Sequence, residues 1–190
     1  MNKINLNNLE LKIFTEQDAL DYCQINNINP DNITELYLQN NRLIDISGIK
    51  LFKNTKELYL NDNEIKNIIP IKDLHNLKAL DIKDNQLTDI SGAENLNNLK
   101  ELYLNNNQIQ NISVLKDLIK LIDLDLGYNF ITDISAIQDL FNLKYLDIRN
   151  LQLESNQIQY IKNLETLWCE NGFKDMLVIN QLDKNIEIIE

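Results

Sequence analysis

A chain of 190 residues that is 44% hydrophobic is sized and composed for one folded domain, and a formal net charge of −11 with a pI near 4.5 makes it repel phosphate backbones. Nucleic acid and anionic membranes are therefore excluded as expected partners, and a basic protein surface is favoured. Two cysteines and one histidine are too few for a disulfide scaffold, a Cys/His zinc site or most Cys/His nucleophilic arrangements, and no run approaches the roughly 18 apolar residues of a membrane span.

The segment from Met1 to Asn8 carries a lysine but neither a continuous apolar core nor a small-residue cleavage site. This predicts a cytoplasmic protein, with a secreted effector as the alternative. Leu9, Leu11 and Ile13 alternate with Glu10 and Lys12, a pattern that predicts a short covering strand. Thr15-Glu16-Gln17-Asp18 then reads as a helix start with an acid three residues after the cap, followed by Ala19, Leu20 and Cys23 on one face, with Pro30 as the stop. Residues 1–32 are thus expected to form an N-terminal cap with one helix.

Residues 33–163 are periodic. Asn41, Asn63, Asn85, Asn107 and Asn129 follow one another at intervals of 22. An apolar pair precedes each of them: Leu36 and Leu38, Leu58 and Leu60, Leu80 and Ile82, Leu102 and Leu104, Leu124 and Leu126. The shared template is L-x-x-L-x-L-x-x-N-x-[LI]-x-[DN]-I-[SI]. Its L-x-L core points two leucines to one face of a short strand, and the looser spacing after the asparagine suits a turn and a return segment. A single such unit cannot bury its own leucines, so the units must stack.

Within "LNNNQI", Asn107 takes the repeated position. Its amide both donates and accepts, so it is expected to satisfy buried backbone groups where the chain leaves the strand. Asn105 and Asn106 are expected on the outward side, available to a partner. The period slips in 143–163, where Leu143 to Leu164 spans 21 residues and Leu151 replaces the repeated asparagine. "LQLESNQI" offers a competing frame with Asn156 as the turn residue, and both frames stay open. Residues 164–190 are expected to hold the last repeat and a C-terminal cap, ending in a strand at Ile186–Ile189. Cys23 and Cys169 fall at opposite ends, roughly 30 Å apart at about 4.8 Å per strand, too far for a disulfide.

The template, and lines such as "LTDISGAENLNNLKELYL" and "ITDISAIQDLFNLKYLDI", resemble the 22-residue leucine-rich repeats of internalins and of phosphatase regulatory subunits of the same repeat class. The resemblance extends over about residues 33 to 185. It implies an α/β leucine-rich-repeat solenoid, a right-handed superhelix with a parallel sheet on its concave face and short helical or 3-10 turns on its convex face.

The outward strand positions carry acids throughout, and Tyr128, Phe130, Tyr145, Trp168 and Phe173 gather towards the C-terminal repeats. Large aromatics beside acids suit desolvated anchors with flanking charge that selects a basic partner. The expected binding face comprises Tyr103, Asp125, Tyr128, Phe130, Tyr145, Asp147, Arg149, Trp168 and Phe173. Asp125 and Asp147 are expected on adjacent strands, as exposed acids of this face rather than a catalytic pair. No catalytic residue, metal site or cofactor is expected, because repeats and caps consume the chain and its four glycines form no phosphate-binding loop. The reading is a non-catalytic protein-binding module, monomeric by itself. The alternatives are a phosphatase regulatory subunit and a bacterial effector or toxin-neutralising protein.

Overall fold

The computed structural model describes residues 2–170 and 186–189. Its strands form one parallel nine-stranded sheet in strict chain order. They are β1 (Lys3–Asn5), β2 (Glu35–Tyr37), β3 (Glu57–Tyr59), β4 (Ala79–Asp81), β5 (Glu101–Tyr103), β6 (Asp123–Asp125), β7 (Tyr145–Asp147), β8 (Thr166–Trp168) and β9 (Glu187–Ile189). From β2 to β7 each strand pairs in register with the residue 22 positions on, so Leu36, Leu58, Leu80, Leu102, Leu124 and Leu146 align as one inward row. All six are essentially inaccessible to solvent. The hydrophobic effect on this continuous row, together with the inter-strand hydrogen bonds, makes each repeat stable only against its neighbours.

The strands stop after three residues because the next positions turn. Asn40, Asp62, Asp84, Asn106, Tyr128 and Asn150 all have φ between 53° and 58°. Asn and Asp tolerate this left-handed conformation best, which accounts for five of the six. The repeated asparagine follows. Asn107 Nδ2 donates to Ile82 O (3.1 Å) and Leu104 O (3.0 Å), and its Oδ1 accepts from Leu87 N (2.9 Å). Asn63, Asn85 and Asn129 repeat the same set, so each amide ties its own strand exit to the preceding repeat.

The three consecutive asparagines thus do three jobs. Asn107 is the inter-repeat tie and Asn105 lies half-buried beside the sheet face. Asn106, expected on the outward side for a partner, is exposed and also supplies the left-handed turn.

The return segments are short 3-10 turns, beginning at Ser47, Ile69, Ser91, Ser113 and Ser135. The [DN]-I-S part of the template starts four of them. Asp45, Asp89, Asn111 and Asp133 each accept the backbone N–H of the serine two residues on, at 2.8 to 3.0 Å.

Helix α1 (Glu16–Ile25) opens with a capping box: Thr15 Oγ1 accepts from Asp18 N and Asp18 Oδ2 accepts from Thr15 N. The Thr15 hydroxyl, donating to Asp18 Oδ2 at 2.6 Å, and then the Thr15 N–H hold the Asp18 carboxyl below its usual range. Pro30 does not end the helix. It stops at Ile25, with Asn27 at φ 52°, and Pro30 begins a separate 3-10 turn. The covering strand of the sheet is Lys3–Asn5, whereas the expected segment 9–13 contributes a single parallel bridge, Ile13 to Asp45. Residues 9–11 are drawn instead to the first turn amide, where Asn41 Oδ1 accepts from Leu9 N and Leu11 N. Leu9 and Ile13 consequently remain about half exposed. The stacked rings of Phe14 and Phe52 join this segment to the first return turn.

In the irregular repeat the template frame persists. Asn150 takes the left-handed position and Leu151 follows it, whereas Asn156 is exposed within the 3-10 segment Ser155–Tyr160. Gln157 Oε1 there accepts from Ile134 N at 2.9 Å, a tie made from the return segment.

Candidate functional site

With each strand's middle leucine pointing inward, its first and third residues line the open face of the sheet. The third-residue column runs Tyr37, Tyr59, Asp81, Tyr103, Asp125, Asp147, Trp168, each in register with the next. At its N-terminal end Tyr37 and Tyr59 stack, with ring centroids 4.8 Å apart and planes 6° from parallel. Their hydroxyls donate to the glutamates that begin the same strands, Tyr37 to Glu35 at 2.9 Å and Tyr59 to Glu57 at 3.1 Å. Burial, then that hydrogen bond, pushes the Tyr59 phenol up to about 12. This pair was outside the expected site, although the repeated Glu-Leu-Tyr at 35–37, 57–59 and 101–103 marks it. In the third copy Tyr103 turns the other way and donates across to Asp123 Oδ2 at 2.9 Å.

The middle of the face follows a second rule. Asp81, Asp125 and Asp147 each accept the backbone N–H two residues on, from Lys83, Gly127 and Arg149. Lys83 and Arg149 also return a charge: Lys83 Nζ lies 3.7 Å from Asp81, and Arg149 Nε reaches both Asp147 oxygens, at 3.1 and 2.9 Å. Asp147 is only 6% exposed, and this fork satisfies it. Gly127 can return nothing. Asp125 is left beside Asp147, its register partner, and burial followed by the Asp147 charge raises its carboxyl to about 7. A β-carbon at position 127 would sit 3.2 Å from Asp147 Oδ1 and 3.3 Å from Asp125 Oδ1, so the glycine also makes room for both acids.

The sign of the pH effect follows from that shift. Asp125 holds its proton more tightly in the folded chain than at the ordinary value of 3.8, so its contribution to stability is present below about 4 and lost as pH rises through about 7. Asp125→Asn keeps an acceptor for Gly127 and removes the titration. Relative to that variant, the wild type should lose about 1–2 kcal/mol between about pH 5 and 8, the full effect of the shift being reduced by partial exposure. Parallel denaturant titrations at the two pH values measure the difference, and an equal change in unfolding free energy for both proteins would contradict it.

The C-terminal aromatics Tyr128, Phe130, Tyr145 and Trp168 make no ring pair with one another among the described residues. Among the described residues the ring pairs are Phe14–Phe52 and Tyr37–Tyr59. Tyr145 instead donates to Glu165 Oε2 at 3.0 Å, next to the Lys144–Glu165 ion pair, and Trp168 is half-buried in the strand column. Tyr128 and Phe130 lie on the turn after β6, 45% and 63% exposed. Phe173 lies outside the described residues.

Comparison with known proteins agrees with this architecture. A family model of leucine-rich repeats in two copies matches residues 97–139. No curated protein sequence matches the chain. Among solved structures, an internalin (inlF) of Listeria monocytogenes is similar at 28% identity over 98% of this chain, with a TM-score of 0.72. The chain spans about half of that protein, 54% of its length. Internalin C2 of the same organism matches 89% of the chain and 80% of its own length at 23% identity and a TM-score of 0.67. A leucine-rich-repeat protein of Leptospira interrogans matches 98% of the chain and 60% of its own length at 22% identity and a TM-score of 0.63. The last two likenesses concern the fold alone.

Proposed function

The chain is a leucine-rich-repeat protein with internalin-like repeats, and on that premise we propose that it is a non-catalytic module binding a partner protein with a basic surface on the open face of its sheet. Such solenoids present an extended face held rigid by the stack beneath, which suits recognition. The acids of the face steer a basic partner, and exposed aromatics on its C-terminal half supply the area that is desolvated on contact. Asp125, lacking a cation of its own, receives one from the partner.

The observation that carries this reading is Tyr128. Every other described turn from Asn40 to Asn150 uses Asn or Asp for the left-handed residue, whereas Tyr128 holds a large ring there at φ 56° and 45% exposed. An aromatic in that conformation costs about 1–2 kcal/mol. Strain kept at an exposed ring points to use of that ring. Phe130, 63% exposed, is equally out of its column, which otherwise holds Arg42, Glu64, Gln86, Gln108 and Gln152.

The test returns both positions to their column residues. Tyr128→Asn with Phe130→Gln should raise the melting temperature while releasing the partner captured by the wild type from extracts of the source organism. Capture that survives the double change would overturn the assignment. Trp168→Ala with Tyr145→Ala is the companion variant, expected to weaken capture with the fold still cooperative. No helix of the described residues is long and apolar enough to cross a membrane.

A further inference from the structure

The flank of the sheet, where each return segment enters its strand, carries two more columns at the 22-residue period. One is asparagine: Asn54, Asn76, Asn98 and Asn142. Asn54, Asn98 and Asn142 donate at 2.7 to 2.9 Å to carbonyls 23 residues back, those of Asp31, His75 and Ile119. Asn76 makes the longer equivalent, 3.4 Å to Lys53 O. Two residues on stands a column of lysines: Lys56, Lys78, Lys100 and Lys144.

One repeat departs from both columns. Lys120 stands in the asparagine column, with Nζ donating to Asn98 Oδ1 at 2.7 Å, and Ile122 stands in the lysine column. The departure puts a half-buried aliphatic side chain where a charge is due and places a charge two residues earlier. A groove of about 240 Å³ results, lined by Lys100, Lys120, Ile122, Asn142 and Lys144. Among the described residues neither Lys100 nor Lys120 is ion-paired with an acid, while Lys144 is held by Glu165. The neighbouring acids, Glu101 and Asp123, are the first residues of their strands and belong to the open face. Beside the groove in sequence, Ile119 and Phe141 are 56% and 66% exposed.

We propose that this groove is a second docking site, which takes an acidic peptide segment carrying an aliphatic side chain. The carboxylates meet Lys100 and Lys120 with Lys144 at the rim, and the aliphatic group lies on Ile122. Charge complementarity selects the occupant: the ammonium groups of Lys100 and Lys120 stand exposed without an acid partner among the described residues, on a chain whose net charge is −11. An apolar floor between cations distinguishes a peptide from a bare anion, which gains nothing from Ile122. The site is on the flank, apart from the face assigned above, so one chain can hold a basic and an acidic partner together.

The probe is the blocked peptide acetyl-Asp-Glu-Leu-Glu-Asp-amide, titrated into the full chain while the Ile122 methyl and lysine side-chain resonances are followed by NMR. Inorganic phosphate and the neutral analogue acetyl-Asn-Gln-Leu-Gln-Asn-amide are the comparison arms. Saturable shifts of the Ile122 methyl with the acidic peptide alone are expected. Lys100→Gln with Lys120→Gln should weaken that binding at least about tenfold, the loss of charge-assisted contacts. Ile122→Lys is decisive, because it adds a cation but fills the floor. Weaker binding in this variant, with the melting temperature retained, supports the groove. Tighter binding, an unchanged affinity in the lysine double variant, or an equal response to phosphate would each show a diffuse cationic flank and overturn the proposal.

Discussion

Asn107→Ala is expected to lower the free energy of unfolding by about 2 kcal/mol, because it strands a buried donor, Leu87 N, and takes one of the two amide donors from each of Ile82 O and Leu104 O, which keep those of Asn85 and Asn129. A buried donor left unpaired costs about 1–3 kcal/mol, and part of that is recovered by local relaxation. Neither Asp nor Leu rescues the position, since one lacks donors and the other lacks both functions. Asn106→Gly serves as the neighbouring control. Its backbone is left-handed at φ 55° and its side chain is exposed, so glycine should leave stability within about 0.5 kcal/mol. Denaturant midpoints at constant slope measure both variants, and equal effects would dissolve the division of labour among these asparagines.

Gly92→Ala is the second large effect, at about 3 kcal/mol, and its cause is steric. A β-carbon there would lie 2.3 Å from Ile68 O and 2.6 Å from Ile68 C, backbone atoms of the preceding return turn. Neither atom belongs to a side chain that can swing away, so the two turns must separate and open the core between repeats. The equivalent position two repeats on is Ala136, which shows that the tightness belongs to this pair of turns and not to the template. Ala136→Gly should therefore cost less than about 1 kcal/mol. Gly48 has the same close fit against the cap, 2.4 Å from Thr15 O, which explains why the two positions share their residue.

The sheet, its register and the turn amides were legible in the sequence because a period of 22 repeated in phase leaves one way to align the leucines and asparagines. What escaped were features that a single repeat cannot show. The first strand, Lys3-Ile4-Asn5, is too short to display alternation, and the clearer alternation at 9–13 was overridden by the hydrogen bonds that Asn41 offers. Asn106 resembles Asn105 in sequence, yet the turn fixes its backbone. Asp125 and Asp147 were correctly placed on adjacent strands, but the difference between them comes from Gly127 and Arg149, residues two positions away that set which acid is satisfied. The same holds for Tyr103, whose hydroxyl partner is on the next strand whereas those of Tyr37 and Tyr59 are on their own. Columns of side chains are readable from sequence. Which neighbour in the column each one chooses depends on rotamers.

Site-resolved amide hydrogen exchange on the wild type and Asn107→Ala tests most directly the claim that each repeat is tied to the one before it by its turn amide. The stacked arrangement predicts that the Leu87 amide, bonded to Asn107, loses protection in the variant, while the Leu43 amide, bonded to Asn63 two repeats away, keeps its own under native conditions. Leu87 protected as before, or Leu43 and Leu87 released together to the same degree, would contradict it.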